Sequence, residues 1–158
     1  MPRHLCLILV VWLLTAAGGP GAEPGEDDAA KDLAKLQGKW KLVAEELNGK
    51  VTKCDDGHVI GFEKDIEIDY DADGGVAAKA TIKLDTSKSP KEIDMTVTFI
   101  AIFPKEKGKT IQGIYRLEGD ELTLAFPCAP FRQRPKEFTT KKELEPRFVV
   151  MTYKRVKP

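Results

Sequence analysis

The sequence predicts an all-β fold, an eight-stranded antiparallel up-and-down barrel preceded by a short N-terminal helical turn. Three observations predict it. Apolar and polar residues alternate with period two through one segment after another, which is the pattern of a sheet with one dry and one wet face. Tight-turn residues punctuate these segments at Asn48-Gly49, Asp73-Gly74-Gly75 and Glu118-Gly119-Asp120. Finally, eight strands with one apolar face leave that face and two edges bare unless the sheet closes on itself. A sandwich of two facing sheets satisfies the same periodicity and is the alternative.

Asp32, Leu33, Leu36 and Gly38 mark the helical turn, with Asp32 as its cap and Gly38 as its stop. The first strand runs from Trp40 to Leu47 and ends at Asn48-Gly49; a short second strand spans residues 58 to 63. In the third, Ile66, Ile68 and Tyr70 alternate with Asp65, Glu67 and Asp69, which assigns the apolar set to the interior and the carboxylates to solvent. Ala78, Ala80, Ile82 and Leu84 give the inner phase of the fourth strand, and Ile93, Met95, Val97 and Phe99 that of the fifth. Ile111, Gly113, Tyr115 and Leu117 form the sixth, Leu122, Leu124 and Phe126 the seventh, and Phe148 to Val156 the last.

Ahead of the fold, Arg3 supplies a short basic start, and Leu5 to Leu14 an uncharged apolar run followed by small residues. That run is too short to span a membrane and reads as a signal peptide over residues 1–22. A disordered acidic leader over 23–31 and a barrel domain over 32–158 follow. An uncleaved anchor is the other reading of the first segment. The protein is therefore expected to be exported, whether periplasmic, cell-surface or secreted, with no membrane insertion after signal cleavage. The chain of 158 residues balances 25 Lys and Arg against 25 Asp and Glu, so it lacks the basic excess of a nucleic-acid binder. A hydrophobic fraction of 42% suffices for one globular core.

Gly38-Lys39-Trp40 follows the helical turn and opens the first strand, while Arg155 ends the last. This resembles the lipocalin signature, which implies that Trp40 plugs the closed end of the barrel and that Arg155 lies across its ring as a cation–π partner. The chain is also similar to a family of exported lipocalin-like domains of unknown function found mainly in planctomycete bacteria. The stretches that carry the likeness are Leu36 to Val43, Asn48-Gly49-Lys50, Pro90 to Asp94, Gly113 to Leu117, Gly119 to Leu124 and Arg134 to Phe138, within residues 33 to 156. The resemblance implies a calycin-type barrel with structural roles for Gly38, Trp40 and Arg155, and no known activity. Pro127-Cys128-Ala129-Pro130 departs from that family, whose cysteine stands closer to the end of the preceding strand.

Several constellations invite a chemical reading. Asp69, Asp71, Asp73 and Gly74 open like a calcium loop, but the twelfth position, where a bidentate Glu is required, is Ala80, so an acidic turn is expected. Cys54, His58 and Cys128 offer three zinc ligands without a fourth. His58 with Ser87 or Ser89 lacks the context of a nucleophile elbow. The stretch Phe131 to Arg147 combines Arg132, Arg134, Lys136, Lys141, Lys142 and Arg147 with Phe131 and Phe138, a pattern for an anionic surface or a polysaccharide, although Glu137, Glu143 and Glu145 dilute it. No catalytic residue, metal or cofactor is expected. In an up-and-down barrel the loop holding Cys54 and the loop holding Cys128 share the open rim, so a disulfide between them is one expectation and two thiols the other.

The function expected is a non-enzymatic binding module for a small hydrophobic ligand. The candidate pocket is Ile68, Ala78, Ala80, Ile82, Met95, Val97, Phe99, Gly113 and Tyr115, with room left by Ala78, Ala80 and Gly113. The rival is a filled barrel acting structurally or through a protein or polysaccharide contact, packed by Ile66, Ile68, Ile82, Met95, Phe99, Tyr115, Leu122, Leu124 and Met151. Fold alone does not choose between them, and the sequence names no macromolecular partner.

Overall fold

The computed structural model describes residues 26–55, 58–128, 133–140 and 148–157. The expected signal peptide, together with Phe131, Arg132, Lys141, Lys142 and Arg147, lies outside the described residues.

One helix, α1 (Glu26–Leu36), precedes the strands β1 (Gly38–Leu47), β2 (Lys50–Lys53), β3 (Val59–Glu63), β4 (Ile66–Tyr70), β5 (Val76–Asp85), β6 (Lys91–Ile100), β7 (Thr110–Glu118), β8 (Glu121–Pro127) and β9 (Phe148–Arg155). Each strand from β3 onward pairs antiparallel with the next, and β1 closes the ring by pairing with both β3 and β9. The result is the closed eight-stranded barrel that the alternation predicts, with β2 added. β2 folds back on the second half of β1 after the Asn48-Gly49 turn and shares that strand with β3. Its four residues are short and fully exposed, so they leave no apolar pattern to read.

The helix is longer than the expected single turn and takes in residues 26–31, assigned above to a disordered leader. An i,i+3 pair between Asp28 and Lys31 supports its first half, while Leu33 and Leu36 pack on the barrel core. Asp32 does not cap this helix. It lies mid-helix, 5% exposed, and accepts hydrogen bonds from Tyr115 Oη at 2.9 Å and Lys91 Nζ at 2.6 Å. Burial works against the Asp32 carboxylate, but these two bonds outweigh it and hold its pKa below the usual range.

α1 covers one end of the barrel. Trp40 is fully buried there and donates its indole N–H to Leu36 O at 2.7 Å. The Arg155 guanidinium stands 4.1 Å from the centre of that ring. It also donates to Gln37 O and Lys35 O, so it satisfies carbonyls that the helix end leaves open. Gly38 takes the left-handed φ of 101° that turns the chain from helix into strand. Above this plug, Leu42, Ile60, Phe62, Ile82, Ile93, Tyr115, Leu122, Leu124, Phe126 and Tyr153 fill the interior.

Three local features re-aim side chains in the other half. Gln37 braces the β3–β4 turn, accepting from Lys64 N at 2.7 Å and donating to Lys64 O at 3.0 Å, while Lys64 holds a left-handed φ of 57°. That turn sets Phe62 opposite Glu67 and Ile60 opposite Asp69. Since Ile60 and Phe62 belong to the core, the two carboxylates share their inner face, and Ile66, Ile68 and Tyr70 face outward. Next, a bulge after Leu42 shifts the phase of β1 and brings Glu45 opposite Met151. Another in β6 takes up Thr98, leaving Phe99 outward opposite Lys79 and 46% exposed.

Residues 133–140 of the β8–β9 connection run over the outside of the barrel. Phe138 packs on Ile114, Ala125 and Val150, a second apolar cluster on the outer face, under a cation–π contact from Arg116. Arg134 donates to Asp94 Oδ1 at 2.6 Å and to the carbonyls of Ile93 and Gly113. Thr140, 3% exposed, bonds Glu46 Oε1 through both its backbone N–H and its hydroxyl.

Candidate functional site

The interior divides along its length. The half next to α1 is packed with side chains, whereas the half toward the 71–75 turn and the 101–109 loop carries two unlike arcs of wall. One arc, on β9, β1, β3 and β4, is polar and holds Tyr153, Glu45, Glu67 and Asp69, with Cys54 and His58 beside them in the β2–β3 connection. The other, on β5, β6 and β7, is apolar and holds Ala78, Ala80, Val97, Ile100 and Ile111.

Glu67 is the most deeply placed acid of the polar arc, 6% exposed, facing Phe62 on one side and Ala80 on the other. Burial, reinforced by the neighbouring Asp69 charge, pushes its pKa up to about 8, so it stays protonated where an ordinary glutamate is ionised. Asp69 is raised as well, by burial, against the opposing pull of His58, whose Nε2 stands 3.5 Å from Asp69 Oδ1. That oxygen is buried and accepts no hydrogen bond. The His58 and Asp69 side chains keep 36% and 35% of their exposure, so solvent reaches this part of the wall. The Tyr153 phenol is raised by burial and then by the fields of Glu67, Asp69, Glu45 and Cys54; its hydroxyl contacts Met151 Sδ at 3.3 Å.

On the apolar arc, a cleft of about 310 Å³ is lined by Val97, Ile100, Phe103 and Ile111, with a Glu106–Lys109 ion pair at its lip. A larger groove, about 540 Å³, lies between Lys39, Tyr70, Asp71 and Val156. Its wall is more polar, and Lys39 stands 4.8 Å from the Tyr70 ring centre, so the inward-facing cleft is the better apolar site.

The nine pocket candidates are therefore scattered. Val97 lines the cleft, and Ala78 and Ala80 stand beside the carboxylates at the junction of the two arcs. Ile82, Met95 and Tyr115 belong to the packed half, with Tyr115 tied to Asp32. The space credited to Gly113 is occupied by the Phe126 ring, against which any Cβ there would collide. Ile68 is buried on the outer face and Phe99 is turned out by the β6 bulge; neither lines the interior.

No disulfide joins Cys54 to Cys128. The expectation of a shared rim fails because β2 is interposed. Cys54 follows that extra strand and donates its backbone N–H to Val43 O, midway along the wall, while Cys128 follows the last pair of the β8–β9 ladder. Asp71 spends its carboxylate on the backbone of Asp73 and Gly75, which makes an acidic turn, and Asp69 points away from it into the barrel. Ser87 bonds Asp85 in the loop after β5, at the end of the barrel away from His58. Among the described residues no three His, Cys, Asp or Glu converge as metal ligands, and no helix is long and apolar enough to cross a membrane. Of the basic stretch, Arg134 is held by Asp94 and Glu92 rather than displayed.

Sequence reasoning missed Glu67, Asp69, Glu45 and Tyr153 as a group. A usable signal was present: residues 58 to 63 put Phe62 inward, and a two-residue turn at Lys64-Asp65 then places Glu67 across from it. The sequence matches no protein-family model and no curated protein.

Proposed function

We propose that the protein is an exported, lipocalin-like, non-enzymatic binding module that takes a small, largely apolar ligand at the end of the barrel away from Trp40. The observation that carries this reading is the apolar cleft of about 310 Å³ on Val97, Ile100, Phe103 and Ile111, which is at the size a drug-sized molecule needs. The filled half beside α1 restricts the ligand to this end. Export rests on the apolar start of the chain, and the lipocalin likeness on Trp40, Arg155 and the other matching stretches.

The test is fluorescence titration of the chain lacking residues 1–22 with a neutral lipophilic dye such as Nile red. Enhancement that saturates, and that is lost when Val97→Trp or Ile111→Trp fills the cleft in a protein that still folds, supports the reading. No enhancement with the folded protein overturns it in favour of a structural or macromolecule-contacting barrel.

A further inference from the structure

We propose that the polar arc of Glu67, Asp69 and Tyr153 is a recognition site for the ammonium group of an amphiphilic amine, whose apolar tail lies along Ala78, Ala80 and Val97. This rests on the binding-module reading and adds the chemical class of the ligand. Glu67 is more than nine-tenths buried, it shares the inner face with Phe62 and Ala80, and the charge that acts on it is that of Asp69, of its own sign. Asp69 Oδ1, on the same face two residues on, accepts no hydrogen bond although it is buried. A barrel that served only as a packed scaffold has no use for an unsatisfied Asp69 oxygen beside a buried Glu67, a pair that costs stability where it stands.

The neighbours define what fits. The Asp69 charge acts on Glu67, the fields of Glu67, Asp69, Glu45 and Cys54 act on Tyr153, and His58 Nε2 stands 3.5 Å from Asp69 Oδ1. No lysine or arginine among the described residues pairs with Glu67 or Asp69, so the site favours a positive charge that arrives from outside. Three protein ligands for a metal ion do not converge there. A primary ammonium offers three donors to two carboxylates. The adjoining apolar arc begins at Ala80, directly across the ladder from Glu67, and continues to Val97, so a ligand with its charge at one end matches both arcs at once. An ammonium bound at Glu67 requires the carboxylate form, so each binding event releases a proton at neutral pH.

The experiment is calorimetric titration of the chain lacking residues 1–22 with n-octylamine, n-octanol and n-butylamine at pH 7.5, each in two buffers of different ionisation enthalpy. Octylamine is expected to bind at least tenfold more tightly than octanol, with a heat that changes between buffers. Glu67→Gln and Asp69→Asn, checked for folding by circular dichroism, are each expected to weaken octylamine about tenfold. If octanol binds as tightly as octylamine, or if neither variant alters octylamine affinity, the ammonium site is wrong while the apolar binding module stands. If butylamine binds as tightly as octylamine, the ammonium site stands and the apolar reading is wrong. If none of the three binds, both are wrong.

Discussion

Glu67 stands directly across the β3–β4 ladder from Phe62, and the pairing puts a glutamate into the same inner face as a core phenylalanine. The energetic consequence has a sign. The folded protein holds the Glu67 proton up to about pH 8, against an ordinary value of 4.5. Between those values the native state binds more protons than the unfolded state, so stability falls as the pH rises through this window and levels off above it. Glu67→Gln removes the titration. The variant is expected to be more stable than the parent at pH 8 and to lose that advantage toward pH 5, with a slope difference of up to about 1.4 kcal/mol per pH unit. Urea unfolding at the two pH values checks this, and parallel profiles would show that Glu67 ionises normally in the fold.

Gln37 links the helix end to that same placement. Its side-chain amide satisfies both backbone groups of Lys64, the residue whose left-handed φ forms the turn that sets β4 in register. Gln37→Ala is expected to cost about 1 kcal/mol, since the bonds lie near the surface. It is also expected to speed amide exchange across the β3–β4 ladder more than across β7–β8. Uniform exchange across both ladders would mean that the turn holds its shape unaided.

The closed end gives a larger effect. Trp40→Ala removes a fully buried indole, its bond to Leu36 O and the surface on which Arg155 rests, and is expected to cost about 3–5 kcal/mol in urea unfolding. Arg155→Ala keeps the indole but frees the carbonyls of Lys35 and Gln37, and is expected to cost about 1–3 kcal/mol. A Trp40→Ala variant as stable as the parent would count against the plug.

Gly113→Ala tests whether the packed half has slack. The added Cβ would meet the Phe126 ring and approach Ala125 O to 2.7 Å, backbone that has nowhere to go. Overpacking of this kind is expected to cost about 1–3 kcal/mol. A neutral result would mean that Phe126 can move and that the interior is roomier than its contacts imply.

These sites show how far the sequence could be read. Period-two alternation identified the strands because each residue's polarity reports a face, and closure followed from their number. Alternation does not say which face turns inward. In β4 the ordinary assumption, apolar side in, gives the wrong answer for Ile66, Ile68, Glu67 and Asp69, because the register imposed by the Lys64 turn outweighs the preference of five residues. Phe99 was misplaced for a related reason: the bulge at Thr98 inserts one residue, and nothing in the polarity pattern announces it. The contact between Trp40 and Arg155 was legible through the likeness of Gly38-Lys39-Trp40 and Arg155 to the lipocalin signature, not from the polarity pattern. Asp32 was misread because a helix-capping residue and a buried acceptor for Tyr115 look the same in one dimension.

The seam of the barrel joins the earliest strand to the latest, Trp40 beside Arg155 at one end and Leu47 beside Val149 at the other. No partial chain can make that seam. Until β9 is in place, β1 and β8 each present a row of unsatisfied peptide groups to whatever strand comes near, and the β1–β9 contacts join the first strand of the barrel to its last. Folding is therefore governed by an event that waits until β9 has been made, and a product cut short before Phe148 is left with two adhesive edges that invite pairing with its own copies.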